Sequence, residues 1–232
     1  MEYGSGSDAN RRRCVRMSRL RHFAAWMASG LAALALAGPA GAGPEDDYRA
    51  GARAYRAGDV TGAMAQLKLS ADAGHAPAQA LLAGILVKAG FDEESVAYYR
   101  KAAAQGDPDG EFGLGAMYAA GEGVKRDPQE ARQWIARAAR QGHLQAINVL
   151  AQAYMAGELG IDENERAGPV ALMWIRRAAD TGHVPALDYL AGAYRRGALG
   201  LAVDEKQAER LEARAKALRG SSGKKASKGS NS

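Results

Sequence analysis

Three histidines are the residues best suited to chemistry in this chain, because imidazole ligates zinc and transfers protons near neutral pH. His75, His143 and His183 each follow a glycine directly, at the end of a recurring alanine-rich phrase. If that phrase marks a structural repeat, the three rings stand about one repeat apart, on the order of 10 Å. The ligands of one zinc ion must each come within roughly 2 Å of it. The spacing therefore predicts a turn or capping role for these histidines and no metal site.

No other group of residues predicts catalysis or cofactor binding. The single cysteine, Cys14, precedes an apolar run near the amino terminus, so no cysteine nucleophile is expected in the mature chain. A Gly-Glu-Gly loop at residues 121–123 follows a helical pattern rather than a strand, which does not fit a dinucleotide-binding turn. The sequence thus predicts no catalytic residues, no cofactor and no enzyme.

The elements that carry these residues are predicted to be paired helices. The glycine of the phrase recurs at Gly74, Gly106, Gly142 and Gly182, with spacings of 32, 36 and 40 residues, which are typical of helical repeats. After each of these turn glycines, apolar or small residues recur at the fourth, eighth, eleventh and twelfth positions, on one face of an α-helix. They are Ala78, Leu82, Ile85 and Leu86; Gly110, Leu114, Met117 and Tyr118; Ala146, Leu150, Ala153 and Tyr154; and Ala186, Leu190, Ala193 and Tyr194.

A second helix follows the first in each repeat. Asp127 and Pro128 combine an N-cap acid with a proline at the first helical position. Trp134 and Trp174 stand at corresponding positions among alanines, and we expect their indoles to fill the gap between closely packed helices. Residues 46–73 form an earlier and shorter pair. The sequence therefore predicts an all-α solenoid of about five helix-turn-helix repeats.

One repeat contains many residues at fixed offsets. They are Leu114-Gly115-x-Met117-Tyr118-x-x-Gly121-x-Gly123-Val124-x-x-Asp127-x-x-x-Ala131-x-x-Trp134-x-x-x-Ala138-Ala139-x-x-Gly142-His143. This pattern resembles a nearly complete Sel-one-like repeat (SLR), a relative of the tetratricopeptide repeat, and the resemblance covers about residues 46–217. The first two repeats depart from the pattern, with Gln66 and Tyr98 at the tryptophan position. The resemblance implies a right-handed α/α solenoid that binds partner proteins, often in bacterial envelope biology or signalling.

The two ends of the chain differ in composition from the repeats. Residues 1–42 combine an arginine-rich segment, an apolar run and an Ala-Gly-Ala site, the order of a cleavable signal peptide, with Met17 as an alternative start. The competing interpretation is an uncleaved membrane anchor over residues 23–44, which carry no charge. Residues 219–232 are basic and rich in Gly, Ser and Lys, so we expect a disordered tail. The repeat domain would then be residues 43–218, in the periplasm or secreted.

Charge argues against nucleic acid as the partner. The whole chain has a formal net charge of +5, but residues 43–218 carry 21 basic and 24 acidic side chains. A nucleic-acid-binding domain needs a basic face on its folded part. The excess of positive charge belongs to the ends, so a protein or peptide partner is expected instead.

A solenoid offers its partner a concave face lined by the first helix of each repeat. Positions six, ten and thirteen after each turn glycine point away from the predicted core. We predict a mixed apolar and polar groove there, against the alternative of an ordinary solvated face. The candidate groove residues are Phe112, Asn148, Gln152, Met155, Asp188 and Arg195.

These inferences predict a monomeric periplasmic protein that binds a partner protein without catalysis. The sharpest form of the hypothesis, taken from the resemblance, is an adaptor or regulator of exopolysaccharide production. Two alternatives stay open. One is a scaffold for an envelope or polysaccharide-export complex, and the other is an enzyme that acts on peptidoglycan.

Overall fold

The computed structural model describes residues 43–229, with side chains described to residue 221. The predicted signal peptide, residues 1–42, lies outside this range. The described residues form eleven helices and no strand. The helices are α1 (Pro44–Arg56), α2 (Val60–Asp72), α3 (Ala76–Ala89), α4 (Asp92–Ala104), α5 (Pro108–Ala120), α6 (Pro128–Arg140), α7 (Leu144–Ala156), α8 (Glu163–Ala167), α9 (Pro169–Asp180), α10 (Val184–Arg196) and α11 (Glu205–Gly229).

Ten of these helices form five antiparallel pairs, which confirms the predicted all-α solenoid. The pairs are α1 with α2, α3 with α4, α5 with α6, α7 with α9, and α10 with α11. The short helix α8 lies in the longest loop between the two members of a pair, and its N-terminus is closed by a capping box between Asp162 and Glu165. This extra turn accounts for the longest repeat spacing.

The predicted apolar stripe on the first helices forms the core. Fourteen of its sixteen residues are buried, and Tyr118 and Tyr194 are partly buried. The turn between one repeat and the next depends on its glycine, because Gly106 and its three equivalents adopt φ between 78° and 93°, a conformation that L-residues with a side chain rarely adopt. The stripe and the turn together stack each repeat on its predecessor.

Two glycines allow three consecutive helices to pack at close range. A Cβ on Gly110 of α5 would lie 2.4 Å from the Cβ of Ala102 in α4. A Cβ on Gly115 would lie 2.7 Å from Cγ1 of Ile135 and 3.0 Å from the carbonyl oxygen of Ala131, both in α6. Since real Cβ contacts are longer, the positions of α4 and α6 against α5 require glycine at both sites.

The two tryptophans differ in burial, although they occupy corresponding positions. Trp174 is 3% exposed and belongs to the largest apolar cluster. Trp134 is only partly buried, and the guanidinium of Arg137 lies 4.7 Å from its ring centre. The isoleucine that follows each tryptophan, Ile135 or Ile175, is buried in both repeats. Trp134 nevertheless packs against the apolar cluster that α4 and α5 form. The prediction that both indoles fill an inter-helix gap is therefore confirmed, and Trp134 is the more exposed of the two.

The last helix is longer than the sequence predicts. It continues through residues 219–229, which the prediction assigned to a disordered tail. Ala208 and Ala215 are buried against the rest of the repeat, and Leu211 and Leu218 pack beside them, so the helix is already anchored before that segment begins. None of the helices within residues 43–229 combines the length and apolar character that crossing a membrane requires.

Candidate functional site

Two of the turn histidines, His75 and His143, cap helices and link neighbouring repeats. Nδ1 of His143 accepts a hydrogen bond from the backbone N–H of Ala146, at 3.1 Å. Its Nε2 lies 2.9 Å from Oδ1 of Asp109 in the preceding repeat. Because Nδ1 is the acceptor, the proton is on Nε2, which donates it to the carboxylate. His75 is arranged in the same way, with the N–H of Ala78 and the carboxylate of Glu45.

The other two turns differ from these. Asp107, which replaces histidine, caps α5 by accepting from the N–H of Gly110 at 2.8 Å. His183 accepts no hydrogen bond from its helix, and its buried Nδ1 has no hydrogen-bond partner within the part of the chain that the structure describes. Burial lowers the pKa of this histidine. No three His, Cys, Asp or Glu side chains in residues 43–229 are grouped to hold a metal ion. The predicted capping role is confirmed at His75 and His143.

His143 and His183 should lose unequal amounts of stability when each is replaced by alanine. His143→Ala should lower the free energy of unfolding by about 1 kcal/mol, because it removes an N-cap acceptor. His183→Ala should cost much less, because that side chain accepts no helix N–H. Thermal melting of both variants tests the difference. If His143→Ala melts at the same temperature as the unmodified chain, the His143 cap contributes nothing to stability.

A cavity of about 360 Å³ opens on the face formed by the first helices of the repeats. Its walls come from α1, α3, α5 and the start of α7, together with one tyrosine of α4. Four aromatic side chains dominate it, and we call the cavity the aromatic groove. Those side chains are Tyr48, Tyr55, Tyr99 and Phe112.

Tyr99 reaches the groove because glycines on two helices leave room for it. A Cβ on Gly113 would lie 2.1 Å from the Tyr99 ring, so the ring packs directly against the backbone of α5. A Cβ on Gly84 of α3 would lie 3.4 Å from the Tyr99 hydroxyl oxygen, an ordinary contact. Burial raises the pKa of Tyr99, so its phenol is neutral at physiological pH. The floor of the groove is therefore apolar, with one neutral hydroxyl.

One end of the groove is cationic. Nζ of Lys88 donates to the hydroxyl of Tyr55 at 2.7 Å and lies 5.4 Å from the centre of that ring. A second cavity of about 400 Å³ shares Tyr48, Tyr55 and Leu81 with the groove and is also lined by Arg49, Arg53 and Arg56. The acidic residue in the lining of the groove, Asp109, is engaged by His143. We call Lys88, Arg53 and Arg56 the cationic rim.

Of the six predicted groove residues, Phe112 alone lines the aromatic groove. It is partly buried and stacks on His143 with ring centres 4.7 Å apart. Asn148 is partly buried, and its Oδ1 has no hydrogen-bond partner among the described residues. Gln152 is exposed, and Met155 packs against the core.

The remaining two predicted residues are engaged within the chain. Arg195 forms ion pairs with Glu205, at 2.9 Å, and with Glu212 of α11. Asp188 pairs with Arg219 of the same helix. Both side chains therefore hold the last helix and are also exposed, and their role in binding a partner stays a prediction.

The predicted groove residues do not include the three tyrosines of the groove. The predicted concave face began at the second repeat, so it left out α1, which supplies Tyr48 and Tyr55. A signal was present: Glu45 and Tyr48 have the same spacing as Asp109 and Phe112. In each case the acid and the aromatic ring contact the histidine of the following turn.

A larger cavity of about 790 Å³ lies beside the loop between α5 and α6. Its cations Arg100, Lys125 and Arg126 are exposed, and Nε of Arg126 bonds the carbonyl of Ala119. This cavity is a broad surface depression at a loop. The aromatic groove is the better candidate site, because apolar side chains with a few polar groups are what ligand pockets share.

Comparison with known proteins agrees with this fold. The family model described as Sel1 repeat matches residues 63–107, 108–143 and 144–183. The solved structure of a protective antigen present in uropathogenic Escherichia coli strains, which displays an SLR fold, is 30% identical in sequence and superposes with a TM-score of 0.65. The match covers 74% of this chain and 38% of the antigen. The solved structure of a Sel1 repeat protein from Oxalobacter formigenes is 26% identical with a TM-score of 0.58, and the match covers 74% of this chain and 70% of that protein.

A characterised relative also matches part of the sequence. It is an exopolysaccharide production negative regulator of Rhizobium leguminosarum bv. viciae, 33% identical over 92 residues. The match spans 40% of this chain and 32% of the relative. The chain therefore corresponds to about a third of that regulator's length.

Proposed function

Because the chain belongs to the Sel1 repeat family, whose members are protein-interaction modules, we propose that it is a non-catalytic adaptor whose partner protein docks in the aromatic groove. The observation that carries this proposal is the groove itself, in which four aromatic side chains converge on one concave surface. Partly exposed aromatic residues in a concavity are typical anchors of protein interfaces. No group of His, Cys, Asp and Glu side chains that could hold a metal ion accompanies them in residues 43–229.

We propose that the adaptor acts in an envelope process. The most specific version of this proposal is regulation of exopolysaccharide production. The similarity to the negative regulator supports this assignment, over the part of that protein that matches. A scaffold in a polysaccharide-export complex is the second form. The identity of the captured partner separates them: a signalling protein supports the regulator, and an export component supports the scaffold.

Export is part of the proposal. Residues 1–42 have the order of a cleavable signal peptide, so the mature protein should begin at Gly43 and lie in the periplasm. Amino-terminal sequencing of the protein from its native host tests this. An intact segment containing Arg19 and the apolar run would contradict cleavage and favour the anchor.

Site-specific photo-crosslinking tests the docking surface. Ala116 is exposed and lines the groove, whereas Ala104 is exposed on α4 and lies outside the lining. A photoreactive amino acid at each position should leave folding intact. In the native host, we expect a specific crosslinked product from position 116 and none from position 104. Products from position 104 alone would move the docking surface to the second helices.

A further inference from the structure

We infer that the aromatic groove binds an acidic segment of the partner protein, with one aromatic or large apolar side chain in the groove and carboxylates on the cationic rim. This inference rests on the proposed function and adds the chemistry of the partner. Two observations carry it, the shape and lining of the groove and the imbalance of charge around it. Each is independent of the comparisons with known proteins.

The groove is built to accept an apolar side chain. Ala80, Gly84, Gly113 and Ala116 form its helical walls and have little or no side chain. Tyr99 closes the floor, and Tyr48 and Phe112 each lie against a turn histidine that fixes their position. A volume of about 360 Å³ exceeds that of one aromatic side chain. Pre-positioned rings around small residues reduce the entropy cost of binding.

The charges beside the groove favour an acidic partner. Arg53 makes no ion pair among the described side chains, Arg56 donates to a backbone carbonyl, and Lys88 donates to a tyrosine hydroxyl. Their positive charges are therefore not neutralised by carboxylates. Arg49, in contrast, is paired with Glu45, at 2.7 Å.

The acids of this region do not offset the cationic rim. Glu45 is already held by His75 and Arg49, and Asp109 by His143. Asp46 and Asp47 line neither of the two cavities. A carboxylate of a partner would therefore find unpaired cations next to an apolar pocket, the arrangement that gives electrostatic specificity to an interface.

Synthetic peptides test this chemistry with the mature chain. The probes are acetylated and amidated pentapeptides with a central phenylalanine, flanked either by glutamates or by lysines, and a third with a central alanine flanked by glutamates. Calorimetric titration should show the glutamate–phenylalanine peptide binding at least about tenfold more tightly than the other two, which corresponds to about 1.4 kcal/mol. Added salt should weaken its binding.

Two kinds of variant locate the binding. Gly84→Leu should fill the groove and lower the affinity for the acidic peptide at least about tenfold, while the helix tolerates the change because a Cβ at Gly84 has room. Gly192 holds the same place in the last repeat, outside the groove, and there a Cβ meets the flexible end of Arg196. Gly192→Leu is therefore the matched control and should leave binding unchanged.

Charge reversal on the cationic rim completes the test. Lys88→Glu combined with Arg53→Glu should abolish the preference for glutamate over lysine peptides, and circular dichroism should show unchanged helicity. Equal binding of acidic and basic peptides to the unmodified chain, or full binding by Gly84→Leu, would overturn the inference. If crosslinking from position 116 persists in that case, the proposed docking surface stands and only the acidic chemistry fails.

Discussion

Replacing Trp174 by alanine is expected to lower the free energy of unfolding by about 3–5 kcal/mol. The indole is 3% exposed and packs in the largest apolar cluster. Its removal leaves a cavity between helices whose backbones are held by buried alanines on either side. Ala171 and Ala178 are both fully buried, so the helices have little freedom to close the gap.

Urea unfolding followed by circular dichroism measures this loss, and Trp134→Ala is the matched control. Trp134 is partly exposed, whereas Trp174 is almost completely buried. The control should therefore cost clearly less than Trp174→Ala. Equal losses for both variants would mean that the two indoles bury equal areas, contrary to the structure.

Gly115→Ala should lower the free energy of unfolding by about 1–3 kcal/mol, although alanine is the better helix former. The added methyl group would lie 2.7 Å from Cγ1 of Ile135 and 3.0 Å from the carbonyl of Ala131. The carbonyl belongs to the backbone of α6 and cannot rotate away. The two helices must therefore separate, which loosens the packing along their whole contact.

Gly84→Ala is the control for this effect and should have the opposite sign. It also replaces a helical glycine by alanine, but its Cβ has room, so we expect a gain of about 0.5–1 kcal/mol. Melting temperatures of the two variants separate helix propensity from helix contact. A gain at Gly115 would contradict the close contacts there, and a loss at Gly84 would contradict the room at that position.

The helix pairs could be predicted because their signals are local. Turn glycines, N-cap acids and an apolar stripe with helical spacing each act within a few residues. The unequal burial of Trp134 and Trp174 could not be predicted, because it depends on neighbouring helices rather than on the repeat itself. The same holds for α11, whose continuation depends on anchoring by Ala208, Leu211 and Ala215.

The candidate site was predictable only in part. The spacing correctly placed Phe112 on a first helix beside a concavity, but spacing alone carries no information about ion pairs. Asp188 and Arg195 lie on α10, the first helix of the last repeat, and α11 supplies Arg219 and Glu212 as their partners. Tyr99 enters the groove from a second helix through the gap left by Gly113, a feature that periodicity of the first helices does not show.

The loops that follow the first helices limit how far the repeats are interchangeable. Gly123, Leu159 and Leu199 occupy the same place after a turn glycine and share a positive φ of 64°, 53° and 58°. At Gly123 a Cβ would lie 2.4 Å from the carbonyl oxygen of Asp92, whereas the two leucines pack against the core. A leucine would clash in the third repeat, and a glycine would leave a void in the fourth or fifth. This one residue therefore distinguishes the third repeat from the fourth and fifth, and an array in which the third were exchanged with either of them would not be equivalent to this one.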